Sequence, residues 1–305
     1  MKEGGRHLFQ GRREIFGFIK EHRRIFPVEM MCKVFQVSNS GFYYWLKHPK
    51  GKRLADQDAL LREIDEVYQE KKGIYGSPRI TEELRKKGIK TSRPRVARLM
   101  RKFNIRSIVR KNWVSTTDSK HKYPVAENIL NRDFYAARIG EKWVSDLTYI
   151  QTAEGWLYLT TVIDLADRKV IGWSLSDGMD AKSTTVKAFQ MAKINRPVTS
   201  NLIFHSDRGV QYACAEFRVQ LKEMPITQSM SRKGNCWDNA VAESFFKTMK
   251  TEMVYHKKFK TREQASIAIF EYIEIWYNRK RSHSTLGYLS PIEFENTLIN
   301  NEKAA

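Results

Sequence analysis

Three acidic residues between positions 146 and 243 occupy positions from which carboxylates could take part in chemistry. Asp146 lies inside a strand-like run, "VSDLTY", Asp207 ends another, "IFHSDRGVQY", and Glu243 lies near the start of the helix-like run "AVAESFFKTMK". Charged residues are depleted in strands and are rarely buried without a partner. Each aspartate is therefore either one half of a structural ion pair with an arginine or part of a functional site.

Taken together, the three acids fit a site for divalent cations. Mg²⁺ prefers oxygen ligands and commonly takes one or two carboxylates together with water and substrate phosphate. Two such ions can stabilise the attacking and leaving oxygens of an in-line displacement at phosphorus. The region around these acids is poor in histidine and has no cysteine cluster, which argues against zinc.

Other charged residues near these acids have competing interpretations. Asp238, five positions before Glu243, is interpreted as an N-cap of the following helix. Asp164 lies at the end of the second predicted strand and Asp167 in the turn after it, and both are either structural or tune the first-strand aspartate. Lys250 lies seven positions after Glu243, which places it within about 20° of that acid around a helix; a solvated lysine is the alternative.

An open α/β sheet is predicted to position the acids. β-Branched and aromatic residues form the runs "KWVSDLTYIQT", "GWLYLTTVIDLA" and "KVIGWSLS", which predict a three-stranded antiparallel meander. Helices then alternate with the short strands "NLIFHSD" and "PITQSMS", giving the order β-β-β-α-β-α-β-α. The fold class is therefore α/β, a mixed sheet with helices on its faces. On the last helix, Val241, Phe245 and Met249 recur every four residues and are expected to anchor it to the sheet.

The positive charge of the chain is concentrated in its first 125 residues. The whole chain of 305 residues has 54 Lys+Arg and 34 Asp+Glu, for a formal net charge of +20. Residues 1–125 hold 30 of the basic and 13 of the acidic residues, net +17, which leaves 24 and 21, net +3, for residues 126–305. Lysines and arginines displace condensed counterions from phosphates, so this segment is predicted to bind a polyanion. A merely soluble basic surface is the alternative.

Cysteine usage and hydropathy indicate the compartment. Cys32, Cys214 and Cys236 form no CxxC pair, so neither a disulfide framework nor a structural zinc site is predicted. A reducing, cytoplasmic setting is therefore expected. No apolar run reaches the roughly 18 residues of a membrane span, so no membrane partner is predicted.

Two helical modules are predicted before the sheet. "PVEMMCKVF" and "QVSNSGFYYWLK" follow the helix-turn-helix pattern, although any small helical hairpin would give it. "YGSPRITEELRKKG", ended by Gly88, and "TSRPRVARLMRKFNI", with Ser92 as N-cap, form a second pair. The last of these helices is expected to lie on DNA with its basic side chains, which are Arg93, Arg95, Arg98, Arg101 and Lys102.

The spacing of the acids and several longer strings of the sequence resemble a known protein family. Between Asp207 and Glu243 there are 35 residues, and an acid on the first strand precedes them. This arrangement resembles the D, D(35)E signature of retroviral-integrase-like transposases. The strings "HSDRGVQY", "SMSRKGNCWDNAVAESFFKTMKTE" and "YNRKRSHSTLGYLSP" closely resemble the second-frame (OrfB) product of the IS3 family of insertion-sequence transposases. Upstream, "YGSPRITEELRKKGIKTSRPRVARLMRKFNI" resembles the helix-turn-helix module of these proteins and "VSNSGFYYW" their N-terminal region, so nearly the whole chain is covered.

The resemblance implies a ribonuclease-H-like core in which Asp146, Asp207 and Glu243 hold two Mg²⁺ ions, with Mn²⁺ as an alternative. It implies metal-dependent cleavage at the ends of a DNA element, strand transfer into target DNA and a circle-forming, copy-out-and-paste-in route. At least a dimer on DNA is expected, with a first-frame protein as fusion or partner. A basic residue at the position of Lys250 contacts the DNA end in such enzymes. The further DNA contacts expected in the core are Arg208, Lys247, Arg279 and Arg281.

Five domains are predicted along the chain. They are residues 1–53 (helix-turn-helix-like), 54–108 (helix-turn-helix), 109–136 (basic linker), 137–260 (catalytic core) and 261–305 (C-terminal helical extension). Unlike retroviral integrases, the chain has no His/His/Cys/Cys zinc module, so DNA docking is expected to rest on the helical modules. Two other functions stay open: a ribonuclease-H-type nuclease without strand transfer, and a non-catalytic DNA-binding regulator derived from a transposase. The helical modules argue against the first, and the presence of all three acids argues against the second.

Overall fold

The computed structural model describes residues 11–48, 52–109, 123–198 and 201–304. The chain divides into two compact units, Met1–Arg106 and Ser107–Ala305. Residues 110–122, which make up much of the predicted basic linker, lie outside the described residues, as do residues 1–10 of the predicted N-terminal region. No helix in the described ranges is both long and apolar enough to span a membrane.

The first unit opens with three short helices, α1 (Arg12–His22), α2 (Val28–Val34) and α3 (Asn39–Lys47). Apolar side chains from all three helices form one core, which contains Ile15, Phe16, Ile19, Met31, Cys32 and Phe42. Ser38 caps α3, because its hydroxyl accepts a hydrogen bond from the backbone N–H of Gly41 at 3.0 Å. The helix that opens with Ser and Asn therefore begins where the sequence predicts.

Three more helices complete the first unit: α4 (Lys52–Glu70), α5 (Ser77–Lys86) and α6 (Arg93–Lys102). Gly88, at φ +80°, ends α5, and the N–H of Ile89 then donates to the carbonyl of Leu84 at 2.9 Å. Ser92 occupies the N-cap position of α6, but its side chain makes no capping hydrogen bond, so that part of the prediction is wrong. The physical reason is Pro94, which removes one of the two N–H groups that a cap could satisfy.

The second unit is built on a five-stranded mixed sheet. Its strands are β1 (Lys142–Thr152), β2 (Gly155–Asp164), β3 (Val170–Ser176), β4 (Leu202–Ser206) and β5 (Ile226–Met230), in the spatial order β3-β2-β1-β4-β5. The first three strands pair antiparallel, whereas β4 pairs parallel with both β1 and β5. The predicted meander, the chain order of strands and helices, and the α/β class are confirmed.

Helices cover the faces of this sheet. They are α7 (Lys187–Asn195), α8 (Val210–Ala213), α9 (Ala215–Lys222), α10 (Ala240–Glu252), α11 (Arg262–Phe270) and α12 (Pro291–Ala304). One buried cluster joins Trp143 and Phe204 of the strands to Phe189 and Phe217 of the helices. Gly172 of β3 lets α7 approach closely, since a Cβ atom there would lie 2.2 Å from the carbonyl oxygen of Ala188.

A buried ion network ties α12 to the sheet. Arg196 binds Asp164 at 2.6 Å, Asp167 at 2.7 Å and Glu295 of α12 at 2.6 Å. Asp164 also accepts hydrogen bonds from the N–H of Gly140 and the indole of Trp143. Of the two interpretations of Asp164 and Asp167, the structural one therefore matches their contacts.

Candidate active site

The sheet places Asp146 and Asp207 side by side. In the parallel pairing of β1 with β4, Val144 lies opposite His205, so each aspartate lies two residues beyond a paired position. The Asp146 carboxylate accepts a hydrogen bond from the N–H of Leu147 at 2.8 Å, and the Asp207 carboxylate accepts one from the N–H of Gly209 at 2.9 Å. Both carboxylates are thus oriented by their own backbone.

Glu243 reaches the same site from the first turn of α10. Ala242, Phe245, Phe246 and Met249 are buried on this helix, whereas Val241 is only half-buried. The anchoring stripe is therefore broader than predicted and centred away from Val241. Just before the helix, the side-chain amide of Asn239 donates to the carbonyl of Ser145 at 3.0 Å, which ties the start of α10 to the strand of Asp146.

The charges of the three acids act on one another. Desolvation raises the pKa of Asp146 well above its usual range, and the charges of Asp207 and Glu243 raise it further. The pKa of Glu243 is also raised, first by desolvation and then by Asp207. Lys250 is the cation whose charge lowers the pKa of Asp146. Acids arranged in this way accumulate unfavourable negative charge, which a bound cation would relieve.

The donor set fits a hard divalent cation. Within the described ranges, no group of three or more His, Cys, Asp or Glu side chains is arranged to hold a metal ion as it stands. Mg²⁺ needs only one or two protein carboxylates and completes its shell with water and phosphate oxygens. Three mutually repelling carboxylates, one on β1, one directly after the adjacent β4 and one on α10, meet that requirement.

Beneath the aspartates lies a layer of buried polar side chains. The hydroxyls of Ser145 and Tyr212 are 2.8 Å apart, and Ser145 also donates to the carbonyl of Thr161. His205 is fully buried between the hydroxyls of Ser229 at 2.8 Å and Ser231 at 3.2 Å. Burial lowers the pKa of His205 to about 4, so its ring is neutral at physiological pH and fixes β4 against β5.

Asp238 is not the N-cap that the sequence predicted. Its carboxylate is buried and accepts hydrogen bonds from the guanidinium groups of Arg132 and Arg232 and from the amide of Asn128. The two arginines hold the pKa of Asp238 far below its usual range. Asp238 pairs with the arginines because two cations stabilise a buried carboxylate more than free backbone N–H groups would.

Lys250 and Lys247 follow Glu243 along α10. The ammonium of Lys250 lies 5.3 Å from the ring centre of Tyr149, and desolvation lowers its pKa while Asp146 raises it. Lys247, one turn earlier, is exposed. Arg208, next to Asp207, donates from Nε to the carbonyl of Ser231 at 2.6 Å. These three cations therefore line the site of the acids or flank it.

The remaining predicted DNA contacts fall into two classes. Arg279 is exposed, as are the basic residues of α6 in the first unit: Arg93, Arg95, Arg98, Arg101 and Lys102. Arg281 is buried, 5% exposed, and binds Glu252 through contacts of 2.9 to 3.0 Å. Its prediction as a DNA contact is corrected, because a guanidinium held inside the protein cannot reach phosphate.

Sequence reasoning missed the residues that support the acids. Asn239, Tyr212 and His205 each fix a segment that carries a catalytic candidate, yet none belongs to a spacing pattern that points to chemistry. The one available signal was the alternation of serines in "SMS", where Ser229 lies on β5 and Ser231 follows directly after it. That signal indicates a polar face without identifying His205 as its partner.

Comparisons with known proteins agree with this architecture. Models of the integrase core domain match residues 136–236 and 243–299, and a model of an HTH-like domain matches residues 55–113. The chain is 41% identical over 283 residues to the transposase InsF for insertion sequence IS3A of Escherichia coli (strain K12), which covers 92% of this chain and 97% of that protein. It is also 41% identical over 264 residues to the insertion element IS600 uncharacterized 31 kDa protein of Shigella sonnei, covering 87% and 97%.

Solved structures show a weaker likeness. The catalytic core domain of BIV integrase covers 54% of this chain and 97% of its own, at 20% identity and a TM-score of 0.39. The strand order and the matches to the integrase core models define the fold of the second unit. On its sequence identity over nine-tenths of its length, the chain belongs to the IS3 family of insertion-sequence transposases.

Proposed function

We propose that the chain binds the ends of an insertion sequence, cuts one DNA strand there and joins the freed end to target DNA. The observation that carries this proposal is the convergence of Asp146, Asp207 and Glu243, whose charges act on one another. The helical modules supply DNA binding and the core supplies the chemistry. In the proposed division of labour, residues 54–108 bind the ends and residues 137–260 act on them.

The acids would hold two Mg²⁺ ions, or Mn²⁺ in their place. When bound, such ions stabilise the attacking and leaving oxygens of a displacement at phosphorus. The protein contributes rigid placement: the backbone N–H groups of Leu147 and Gly209 orient Asp146 and Asp207, and Asn239 holds the start of the Glu243 helix against β1.

Two displacements at phosphorus describe the proposed reaction. In the first, a water oxygen bonds to the phosphorus at the element's end, the bond to the 3′-oxygen breaks, and that oxygen takes up a proton. In the second, the freed 3′-hydroxyl loses its proton, attacks a target phosphodiester and releases a new 3′-hydroxyl. Lys250 and Lys247 would hold the DNA end, since they follow Glu243 on α10.

The proposed assembly follows from the reaction. Joining requires two element ends, so at least a dimer on double-stranded DNA is proposed, with a first-frame protein as fusion or partner. The substrate is genomic DNA, which supports the bacterial cytoplasm as the proposed place of action. The exposed basic residues of α6 in the first unit support direct contact with DNA phosphates.

A strand-transfer assay tests the proposal. The purified chain is incubated with Mg²⁺ and the DNA that borders its gene, with and without the product of the upstream reading frame. Glu243→Gln is expected to reduce end joining about a thousandfold, because metal stabilisation contributes several kcal/mol and each 1.36 kcal/mol is tenfold. Glu223→Gln, an exposed glutamate at the end of α9, is the matched control and should join ends at the normal rate.

Two outcomes would contradict the assignment. One is a Glu243→Gln or Asp207→Asn variant that still joins ends at the normal rate, which would remove these acids from the chemistry. The other is a wild-type protein that cuts DNA without ever joining it, which would favour the simple nuclease. DNA binding by each variant, measured by fluorescence anisotropy, should stay unchanged.

A further inference from the structure

The segment between β5 and α10 presents an exposed tryptophan beside the candidate active site. Trp237 is 69% exposed, whereas the next two residues, Asp238 and Asn239, are 0% and 3% exposed. It lies six positions before Glu243. The indole of Trp237 therefore projects into solvent from a backbone segment whose next two residues are buried.

The backbone that carries Trp237 is held rigidly. The carboxylate of Asp238 accepts hydrogen bonds of 2.7 to 2.9 Å from the side chains of Asn128, Arg132 and Arg232 and from the backbone N–H of Arg232. Asn239 donates to the carbonyl of Ser145, the residue before Asp146. The backbone of Trp237 is therefore fixed relative to the strand of Asp146 and to the helix of Glu243.

The surroundings of Trp237 are cationic. Arg132 and Arg232 share the single carboxylate of Asp238, which leaves a net positive charge, and their side chains remain 44% and 48% exposed. Lys233 is exposed in the same segment. An exposed indole one residue before the carboxylate that binds two half-exposed arginines matches the chemistry of an unstacked nucleotide, whose base stacks while its phosphates bind guanidinium groups.

We propose that Trp237 stacks on an unpaired base at the DNA end, while Arg132 and Arg232 hold the adjacent phosphates. That the bound DNA is the end of an insertion sequence rests on the proposed function. The binding of an unpaired base to Trp237 does not depend on it. Opening a duplex end costs the stacking energy between neighbouring bases. Stacking of the released base on the indole offsets part of that cost. Opening the end would give the terminal phosphodiester access to the acids of the core.

A binding experiment tests the proposal without any chemistry. The full-length chain is titrated, in the presence of EDTA, against two fluorescent synthetic duplexes carrying the DNA that borders the gene. One duplex is fully paired at the end, and in the other the terminal nucleotide lacks its partner. Trp237→Ala should bind the second duplex about tenfold more weakly than wild type, with a much smaller loss on the first. Trp237→Phe, which keeps an aromatic face, should retain most of the affinity.

Tyr135→Ala is the matched control, because Tyr135 is an aromatic residue of the same unit, 74% exposed, that precedes β1. Its affinity for both duplexes should equal that of wild type. The proposal is overturned if Trp237→Ala binds both duplexes like wild type, or if Tyr135→Ala loses as much affinity as Trp237→Ala. Loss of end joining in Glu243→Gln tests the proposed function separately, since the binding experiment does not depend on cleavage.

Discussion

The two units of the chain use charge in opposite ways. In the first unit, α6 exposes five basic side chains, and no acid occurs from residue 88 to residue 107. In the second unit, the strongest ionic contacts are buried: Arg196 binds three carboxylates, and Arg281 binds Glu252. A charge left in water attracts a polyanion, whereas a buried pair fixes where two segments meet. We therefore expect affinity for DNA and stability of the core to depend on different residues.

The largest effect is expected from breaking a buried pair in the core. Arg281→Met leaves the Glu252 carboxylate buried without its cation, so the free energy of unfolding of the second unit should fall by about 3 kcal/mol. Urea denaturation followed by tryptophan fluorescence measures this change. Arg279→Met, two positions earlier and exposed, is the matched control and should change stability by no more than about 0.5 kcal/mol.

The double variant Arg281→Met with Glu252→Met sharpens this test. Removing both charges leaves no unpaired ion, so most of the lost stability should return. Equal destabilisation by the Arg279 and Arg281 variants would show that the core does not depend on buried ion pairs. The contrast between the two units would then disappear.

An intermediate effect is expected on DNA binding by the first unit. Replacing Arg95, Arg98 and Arg101 with alanine should weaken binding on the order of tenfold and flatten the slope of log K against log salt by about 3. Fluorescence anisotropy at several salt concentrations measures both. The control removes three exposed lysines of the core, Lys187, Lys222 and Lys258. If this control flattens the slope equally, net charge and not α6 governs binding.

The smallest effect concerns two helix starts within the first unit. Ser38→Ala removes a side-chain cap of α3 and should lower the free energy of unfolding by about 1 kcal/mol. Ser92→Ala is the matched control, since Ser92 makes no capping hydrogen bond, and it should be nearly neutral. Both are measured by urea denaturation. An equal cost for the two serines would mean that capping does not explain the stability of these helices.

The sequence predicted the elements well and their long-range partners poorly. Alternating β-branched residues predicted β1 to β3, and the spacing of Asp207 and Glu243 led to the family and the candidate acids. Two errors share one cause. Asp238 looked like a cap although it binds Arg232, six positions away, and Arg132, 106 positions away, and Arg281 looked exposed because Glu252 lies 29 positions away. Local patterns report periodicity and turns, but a buried pair forms only when distant segments meet.

The contact between Arg196 and Glu295 can form only after both residues have been synthesised, so it sets an order in which parts of the chain fold. Translation delivers the basic helices of the first unit early, and domains fold as units from the N-terminus. Glu295 of α12 is synthesised after Asp164, Asp167 and Arg196, and only then can it reach Arg196 and close the network around the two aspartates. A chain still attached to its ribosome therefore folds the basic helices of the first unit before the ion network of the second unit is closed.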